Sequence, residues 1–340
     1  MASTTSSNQT ERVHLLSIKS EKLQRDTFFF LPGGQLIAGL NQRFTPVNCA
    51  TLNRWVKICD PRGFPFGLHP IELMKWGILR YVSVETGPAI PTESTAPLPP
   101  GDYSWDITVP HQLPPLISVA SNEKPIAELN AEAQQPTSHL NKRLILNDSL
   151  ADFEDSVLSR DGGRCSITGN QQDVVVTWIY PPLCFLHSGN VQYFNNPKAM
   201  CIPSNAMLIS KDLVSAFLNN AFGIDVDDNY RIVVFSDIGS TKESMPESAQ
   251  GLLNFSGSQG PDDKFLRLHF RHCLNVHLIG GDIGNDYSAE DIVEAMKDDG
   301  LVAFDDPRWM TPLGREIFED YMKTLAAEKG DSEEASSEVE

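Results

Sequence analysis

Three side chains with metal-binding atoms recur at helical spacing in the C-terminal half of the chain. His269, Cys273 and His277 stand four residues apart, and a helix places residues i and i+4 on one face. Imidazole and thiolate are ligands that Zn²⁺ prefers. Such a helical set forms a metal site only when further ligands converge on it, and the sequence offers no candidates for them. We therefore expect these residues to serve in packing.

Two other polar residues could take part in chemistry, His187 and Asn205. A histidine can accept a proton near neutral pH, whereas an asparagine only donates and accepts hydrogen bonds. Asn205 therefore cannot run hydrolysis by itself. We expect its side chain to satisfy backbone groups of a loop, as asparagines often do.

A hairpin, an irregular loop, a helix and a second hairpin are predicted around these residues. Residues 173–180 are rich in β-branched and aromatic residues and are followed by two prolines, which is typical of a strand and its end. Ser210 fits the N-cap position of a helix, where its hydroxyl would accept a hydrogen bond from a first-turn amide. Residues 222–225 and 230–235 favour two strands joined by an Asp-Asp-Asn turn.

Four motifs carry a family resemblance. They are Arg160-Asp-Gly-Gly-Arg-Cys-Ser-Ile-Thr-Gly169, Val176-Thr-Trp-Ile-Tyr-Pro-Pro182, Ser204-Asn-Ala-Met-Leu-Ile-Ser-Lys-Asp-Leu-Val-Ser-Ala-Phe217 and Phe265-Leu-Arg-Leu-His-Phe-Arg271. Their types and order resemble the HNH nuclease domain as it occurs in large fungal HNH-domain proteins. The resemblance implies an α+β fold with a ββα-metal core, preceded by a small α+β domain and followed by C-terminal helices.

The resemblance also implies a site. An HNH nuclease hydrolyses a phosphodiester with one divalent metal, using a strand-end histidine as general base, an asparagine that orients this histidine or its loop, and a metal-binding histidine on the next helix. Trp178, Asn205 and Val214 stand at these positions here. An indole cannot accept the proton of water, and an isopropyl group has no donor atom for a metal. The sequence therefore predicts a degenerate site that needs no cofactor.

Two residues near this site could replace its missing base or metal ligand. Asp212 precedes Val214 by two residues, about 200° around a helix, so it points away from the empty ligand position. His187 follows the predicted strand and could act as a displaced base, which would leave an active HNH endonuclease that uses Mg²⁺ or another divalent metal. A lone loop histidine is more often a solvated side chain, so an active endonuclease is less favoured than a degenerate site.

The net charge of the chain indicates which kinds of partner it can bind. The chain has a net charge of −18, and residues 282–340 contribute 18 Asp and Glu against 5 Lys and Arg, or −13. Nucleic-acid affinity comes largely from neutralised phosphates. The acidity therefore opposes the nucleic-acid partner that the resemblance implies, and a basic protein surface is an alternative partner for the acidic C-terminal part.

Cysteine spacing and hydropathy suggest the environment of the protein. No Cys-x-x-Cys pair occurs among the 6 cysteines, which favours free thiols over a structural zinc site. The sequence has no run of about 18 apolar residues and no signal-peptide pattern. We expect no membrane association and an intracellular location, cytoplasmic or nuclear.

Composition and turn signals divide the 340 residues into six predicted ranges. Residues 71–84 alternate loosely and fit either a helix or a strand. The predicted ranges are a disordered N-terminus (1–26), a small α+β domain (27–110), a linker (111–148), an HNH nuclease-like domain (149–281), an acidic helical extension (282–328) and a disordered acidic tail (329–340).

Three functions are compatible with these features. The first is a catalytically degenerate HNH nuclease-like protein that serves as a binding or scaffold module. The second is an active metal-dependent endonuclease with His187 as its base. The third is a purely structural protein-interaction module, in which the acidic C-terminal part binds a basic partner.

Overall fold

The computed structural model describes residues 14–60, 66–106, 123–133, 150–182, 184, 200–250, 260–287, 289–297 and 305–337, and the fold is of the α+β class. The strands are Thr27–Phe30 (β1), Leu36–Leu40 (β2), Gly67–Gly77 (β3), Arg80–Glu85 (β4), Gly101–Asp106 (β5), Val174–Trp178 (β6), Ala206–Ser210 (β7), Phe222–Asp225 (β8) and Arg231–Val234 (β9). The helices are Ile18–Lys22 (α1), Cys49–Cys59 (α2), Ile126–Ala133 (α3), Leu150–Asp161 (α4), Lys211–Leu218 (α5), Asp263–His277 (α6), Ala289–Lys297 (α7) and Pro312–Ser337 (α8).

The N-terminal strands form a five-stranded mixed sheet with the order β2-β1-β5-β3-β4. β1 runs antiparallel to β2 and parallel to β5. The turn between β1 and β2 needs glycine at position 34, because its φ is 80° and an added Cβ would lie 2.2 Å from the carbonyl oxygen of Tyr81. The ambiguous residues 71–84 form the β3–β4 hairpin. The start of β3, residues 67–70, pairs with β5.

Two smaller hairpins and α6 make up the second half of the fold. β6 pairs antiparallel with β7, and β8 pairs antiparallel with β9, as predicted for residues 222–235. Asn229 ends the β8–β9 turn with a φ of 51°, a conformation that asparagine tolerates. α6 lies close to β8 at Gly223, where an added Cβ would meet the Phe270 ring at 3.0 Å.

One hydrophobic cluster joins the predicted ranges 27–110 and 149–281. It combines side chains of β1, β2, β5 and α2 with side chains of β9 and α6. The Trp55 ring of α2 lies 5.9 Å from the Phe270 ring of α6, edge to face. The N-terminal sheet is thus packed directly against the second half of the chain through α6.

The structure differs from the prediction of a disordered N-terminus over residues 1–26, because residues 14–26 are held by the end of α6. The guanidinium of buried Arg25 donates to the carbonyls of His277, Leu278, Ile279 and Gly280. A helix leaves its last carbonyls unpaired and favours positive charge beside them. Burial lowers the pKa of Arg25 to about 9. Ser17 is the N-cap residue of α1, and its hydroxyl accepts a hydrogen bond from the Ser20 amide.

The predicted linker over residues 111–148 contains a packed helix. Ile126 at the start of α3 is fully buried, and its amide donates to the Asn220 side chain at 2.9 Å. Glu123 accepts a 2.7 Å hydrogen bond from Asn275 of α6. Residues 123–133 therefore belong to the core rather than to a free linker, because they bury apolar surface and satisfy buried polar groups.

The C-terminal helices extend the fold along the N-terminal sheet. The Tyr81 hydroxyl of β4 donates to Glu316 of α8 at 3.0 Å, and Lys75 of β3 forms an ion pair with the same carboxylate. α8 continues to Ser337, so it reaches into residues 329–340, where a disordered tail is predicted. No helix within the described ranges combines the length and the apolar character that crossing a membrane requires.

Candidate functional site

The segment with the family motifs forms a strand, a long connection, a second strand and a helix. Trp178 ends β6 opposite Ala206, the first residue of β7, and residues 179–205 connect them. α5 follows β7 directly. The predicted Ser210 cap is only partly correct: Ser210 occupies the N-cap position, but its side chain makes no capping hydrogen bond and its hydroxyl lies 3.4 Å from that of Thr168.

The β6–β7 hairpin has two covered faces. Side chains alternate across a strand, so β6 sends Val176 and Trp178 to the face covered by α4. The opposite face of the hairpin, which carries Met207 and Ile209 of β7, is covered by α5. Both faces are apolar, which makes the hairpin a central layer between two helices.

Trp178, which the resemblance places at the position of the base, is packed as a core side chain. Its ring stacks on Phe153 of α4 with centroids 4.4 Å apart, and it is half-buried beside Val157 and Leu208. An indole in this position fills the space between hairpin and helix. It has no atom that could accept a proton from water.

Val214, at the metal-ligand position, lies in the other cluster. It is half-buried on α5, next to the cluster that contains Leu213 and Phe217. The hairpin therefore keeps Trp178 and Val214 in separate apolar clusters, so the structure does not bring together the two positions that the resemblance expects to meet in one site. Trp178 and Asn205, in contrast, both lie at the end of the hairpin where the long connection starts and returns.

Asn205 is fully buried and ties the two ends of this connection together. Its side-chain amide donates to the carbonyls of Tyr180 at 2.8 Å and Met200 at 3.0 Å, and its side-chain oxygen accepts from the Tyr180 amide at 3.1 Å. The Ile179 amide donates to the Asn205 carbonyl. The expected role in satisfying loop backbone groups is what the structure shows, and it occupies the whole side chain.

The two candidate replacements take different positions. Asp212 is exposed in the first turn of α5, where its charge suits the helix dipole. His187 lies outside the described residues. Within the ranges that the structure describes, no group of His, Cys, Asp or Glu side chains is arranged to hold a metal ion.

His272 lies at the start of the connection, where its ring meets the Tyr180 ring edge to face at 5.8 Å. Its Nδ1 lies 3.1 Å from a carboxylate oxygen of Glu123, and its Nε2 lies 2.8 Å from the carbonyl oxygen of Lys124. Both ring nitrogens are engaged by oxygen atoms. His272 therefore fastens α6 to the segment before α3 and has no nitrogen left to act as a base.

The histidines and the cysteine at helical spacing on α6 are buried, as expected for a packing role. The His269 ring stacks on Phe217 at 3.9 Å, and its Nδ1 lies 3.5 Å from the sulfur of Cys273. Burial lowers the pKa of His269 to about 3 and raises that of Cys273 to about 12. Burial also lowers the pKa of His277 to about 3, so all three groups are neutral near pH 7.

A buried ion pair explains the Arg160-Asp161 motif, whose role the sequence did not reveal. The Arg160 guanidinium binds the Asp161 carboxylate at 2.5 Å and also donates to the carbonyls of Pro203 and Ala206. Asp161 in turn accepts from the Leu208 amide at 3.0 Å. The pair anchors the end of α4 to β7 and to the returning end of the long connection. The sequence could not predict this role, because the backbone groups that Arg160 and Asp161 bind lie more than 40 residues away.

Cys165 is held in the turn that follows this ion pair. Its sulfur accepts from the amides of Ile167 and Thr168 at 3.4 Å and of Ser210 at 3.2 Å. Burial acts to raise the pKa of the thiol, but these hydrogen bonds outweigh burial and place the pKa below its usual value. The sulfur joins the turn to β7 and is itself inaccessible to solvent.

The comparisons with known proteins give no relative. No protein-family model, no curated protein and no solved structure matches this chain.

Proposed function

We propose that this chain is a catalytically silent HNH nuclease-like protein that serves as a binding or scaffold module. The observation that carries the proposal is that Trp178 and Val214, which stand where the resemblance places base and metal ligand, are both packed into apolar clusters. Trp178 is stacked on Phe153, and Val214 belongs to a separate apolar cluster. A hydrolytic site needs a proton acceptor beside a bound cation, and these two side chains supply neither.

The polar groups that remain in the segment support a structural role for it. The side chains of Asn205, Arg160 and Asp161 are buried and bind backbone groups of the long connection and of β7. They fix the ends of the long connection, and this structural role does not depend on catalysis. Such a scaffold keeps its fold after the loss of the catalytic groups, which is the condition for a second use as a binding module.

A plasmid-nicking assay tests the proposal. We expect the purified full chain to leave supercoiled DNA and single-stranded RNA intact in Mg²⁺ and in Mn²⁺, because Trp178 cannot deprotonate water and Val214 cannot bind a metal. The matched variant is His187→Ala, which removes the displaced base of the alternative. Metal-dependent nicking by the wild type that His187→Ala abolishes would contradict the proposal and establish the active alternative.

A further inference from the structure

Four large apolar side chains are exposed together on one face of the β3–β4 hairpin. They are Met74 (55% exposed), Trp76 (62%), Val82 (39%) and Val84 (44%), and we call them the hairpin patch. Three alternate residues of the two strands, Ile71, Leu73 and Tyr81, point the other way and are buried. Exposed apolar side chains are ordinary when scattered, whereas a contiguous group of them marks an interaction surface.

The residues of the hairpin patch are direct neighbours. Met74 pairs with Val82, and Glu72 pairs with Val84, one step further along the ribbon. Cross-strand neighbours on one face stand about 5 Å apart. At the other end the Arg80 guanidinium lies over the Trp76 ring, 5.2 Å from its centroid. The patch is therefore continuous, and Glu72 and Arg80 stand at its diagonally opposite corners.

No other part of the described chain covers this face. α8 lies against the opposite face of the hairpin, through its contacts with Tyr81 and Lys75. β4 is also the edge strand of the five-stranded sheet. Among the described residues, neither Glu72 nor Arg80 has an ion-pair partner, so both charges are available to a molecule that docks on the patch.

We propose that the hairpin patch is covered by a second copy of this chain, in a two-fold symmetric dimer that faces Arg80 of each copy with Glu72 of the other. An interface around a two-fold axis must be complementary to itself. A patch with an apolar centre and opposite charges at diagonal corners meets this condition. An axis in the plane of the hairpin, perpendicular to the Glu72–Arg80 diagonal, brings each arginine over the glutamate of the other copy.

The geometry and the charge of the patch fit this arrangement. The hairpins of the two copies then cross close to antiparallel, within the range of aligned sheet packing at about 30°. The chain as a whole carries −18 and repels its own copy. Glu72 and Arg80 balance each other, so the patch brings two copies together on a surface with no net charge of its own.

Sedimentation equilibrium of the full chain over a range of concentrations tests the dimer. We expect the wild type to associate from the 37.7 kDa monomer to twice this mass. Trp76→Ser removes the largest apolar side chain, and we expect it to raise the dissociation constant at least about tenfold. Arg80→Glu and Glu72→Arg each place like charges opposite one another and are expected to weaken the dimer to a similar extent. The double variant Glu72→Arg with Arg80→Glu restores the pairing and should dimerise as the wild type does.

The control variant is Val293→Ser, on an exposed position of α7 outside the patch, which should leave the dissociation constant unchanged. All substituted positions are exposed, so far-ultraviolet circular dichroism is expected to show an unchanged fold. A wild type that remains a monomer at every concentration overturns the proposal. So does a dimer that ignores Trp76→Ser, or a double variant that stays as weak as the single charge reversals. None of these results depends on whether the chain cleaves nucleic acid.

Discussion

Asp225→Ala is expected to lower the free energy of unfolding by about 3 kcal/mol, because it leaves buried donors without their acceptor. Asp225 of β8 is fully buried and receives the Trp55 indole N–H at 2.9 Å and the Arg54 guanidinium at 2.7 Å. Both donors come from α2, so this carboxylate links the N-terminal half of the fold to the β8–β9 hairpin. Arg54 is partly exposed and can regain water, which keeps the loss at the lower end of the range for buried pairs.

Urea denaturation followed by tryptophan fluorescence measures this loss. The matched control is Asp228→Ala, which removes an exposed carboxylate that also binds Arg54, at 3.3 Å, and Arg231, at 2.8 Å. An exposed ion pair contributes less than about 1 kcal/mol, so the control should unfold nearly as the wild type does. Equal midpoints for the two variants would contradict the role given to Asp225 as a buried link.

Asn205→Ala is expected to lower the free energy of unfolding by about 2 to 3 kcal/mol. The substitution removes the acceptor of the Tyr180 amide and the donors to the Tyr180 and Met200 carbonyls. Tyr180 is buried, so its backbone groups cannot recover these hydrogen bonds from water. We expect the ends of the long connection to separate more easily as well as the whole chain to be less stable.

Two measurements separate the local effect from the global one. Urea denaturation gives the global loss, and hydrogen exchange of the Tyr180 amide reports on the tie itself. Asn219→Ala is the control, because this exposed asparagine bonds only within its own helix turn, to Ser215. Should the Tyr180 amide exchange at the wild-type rate in Asn205→Ala, the assigned role of Asn205 would be wrong.

Local pattern predicted the elements of the second half well. The strand that contains Trp178 and the hairpin over residues 222–235 follow from residue types and turn residues. β7 was missed, because it lies where an irregular loop is predicted and pairs with β6 about 30 residues away. Residues 71–84 are ambiguous by pattern because they alternate only loosely, and in the structure they pair with each other as the β3–β4 hairpin.

Long-range contacts account for what the sequence did not predict. The polar N-terminus suggested disorder, yet Arg25 finds its partners at the end of α6, more than 250 residues away. The two covered faces of the β6–β7 hairpin could not be assigned in advance either. Sequence position alone therefore gave no sign that Trp178 and Val214 would lie in separate clusters.

The proposed function requires that Trp178, Asn205 and Val214 supply neither a base nor ligands for a cation. An anomalous difference map from crystals soaked in Mn²⁺ tests it most directly, because the map locates a bound cation independently of weak binding to the acidic surface. We predict no manganese peak at ligand distance from Asn205 or from any other side chain at the end of the β6–β7 hairpin. A well-occupied peak there, coordinated by protein side chains, would contradict the account.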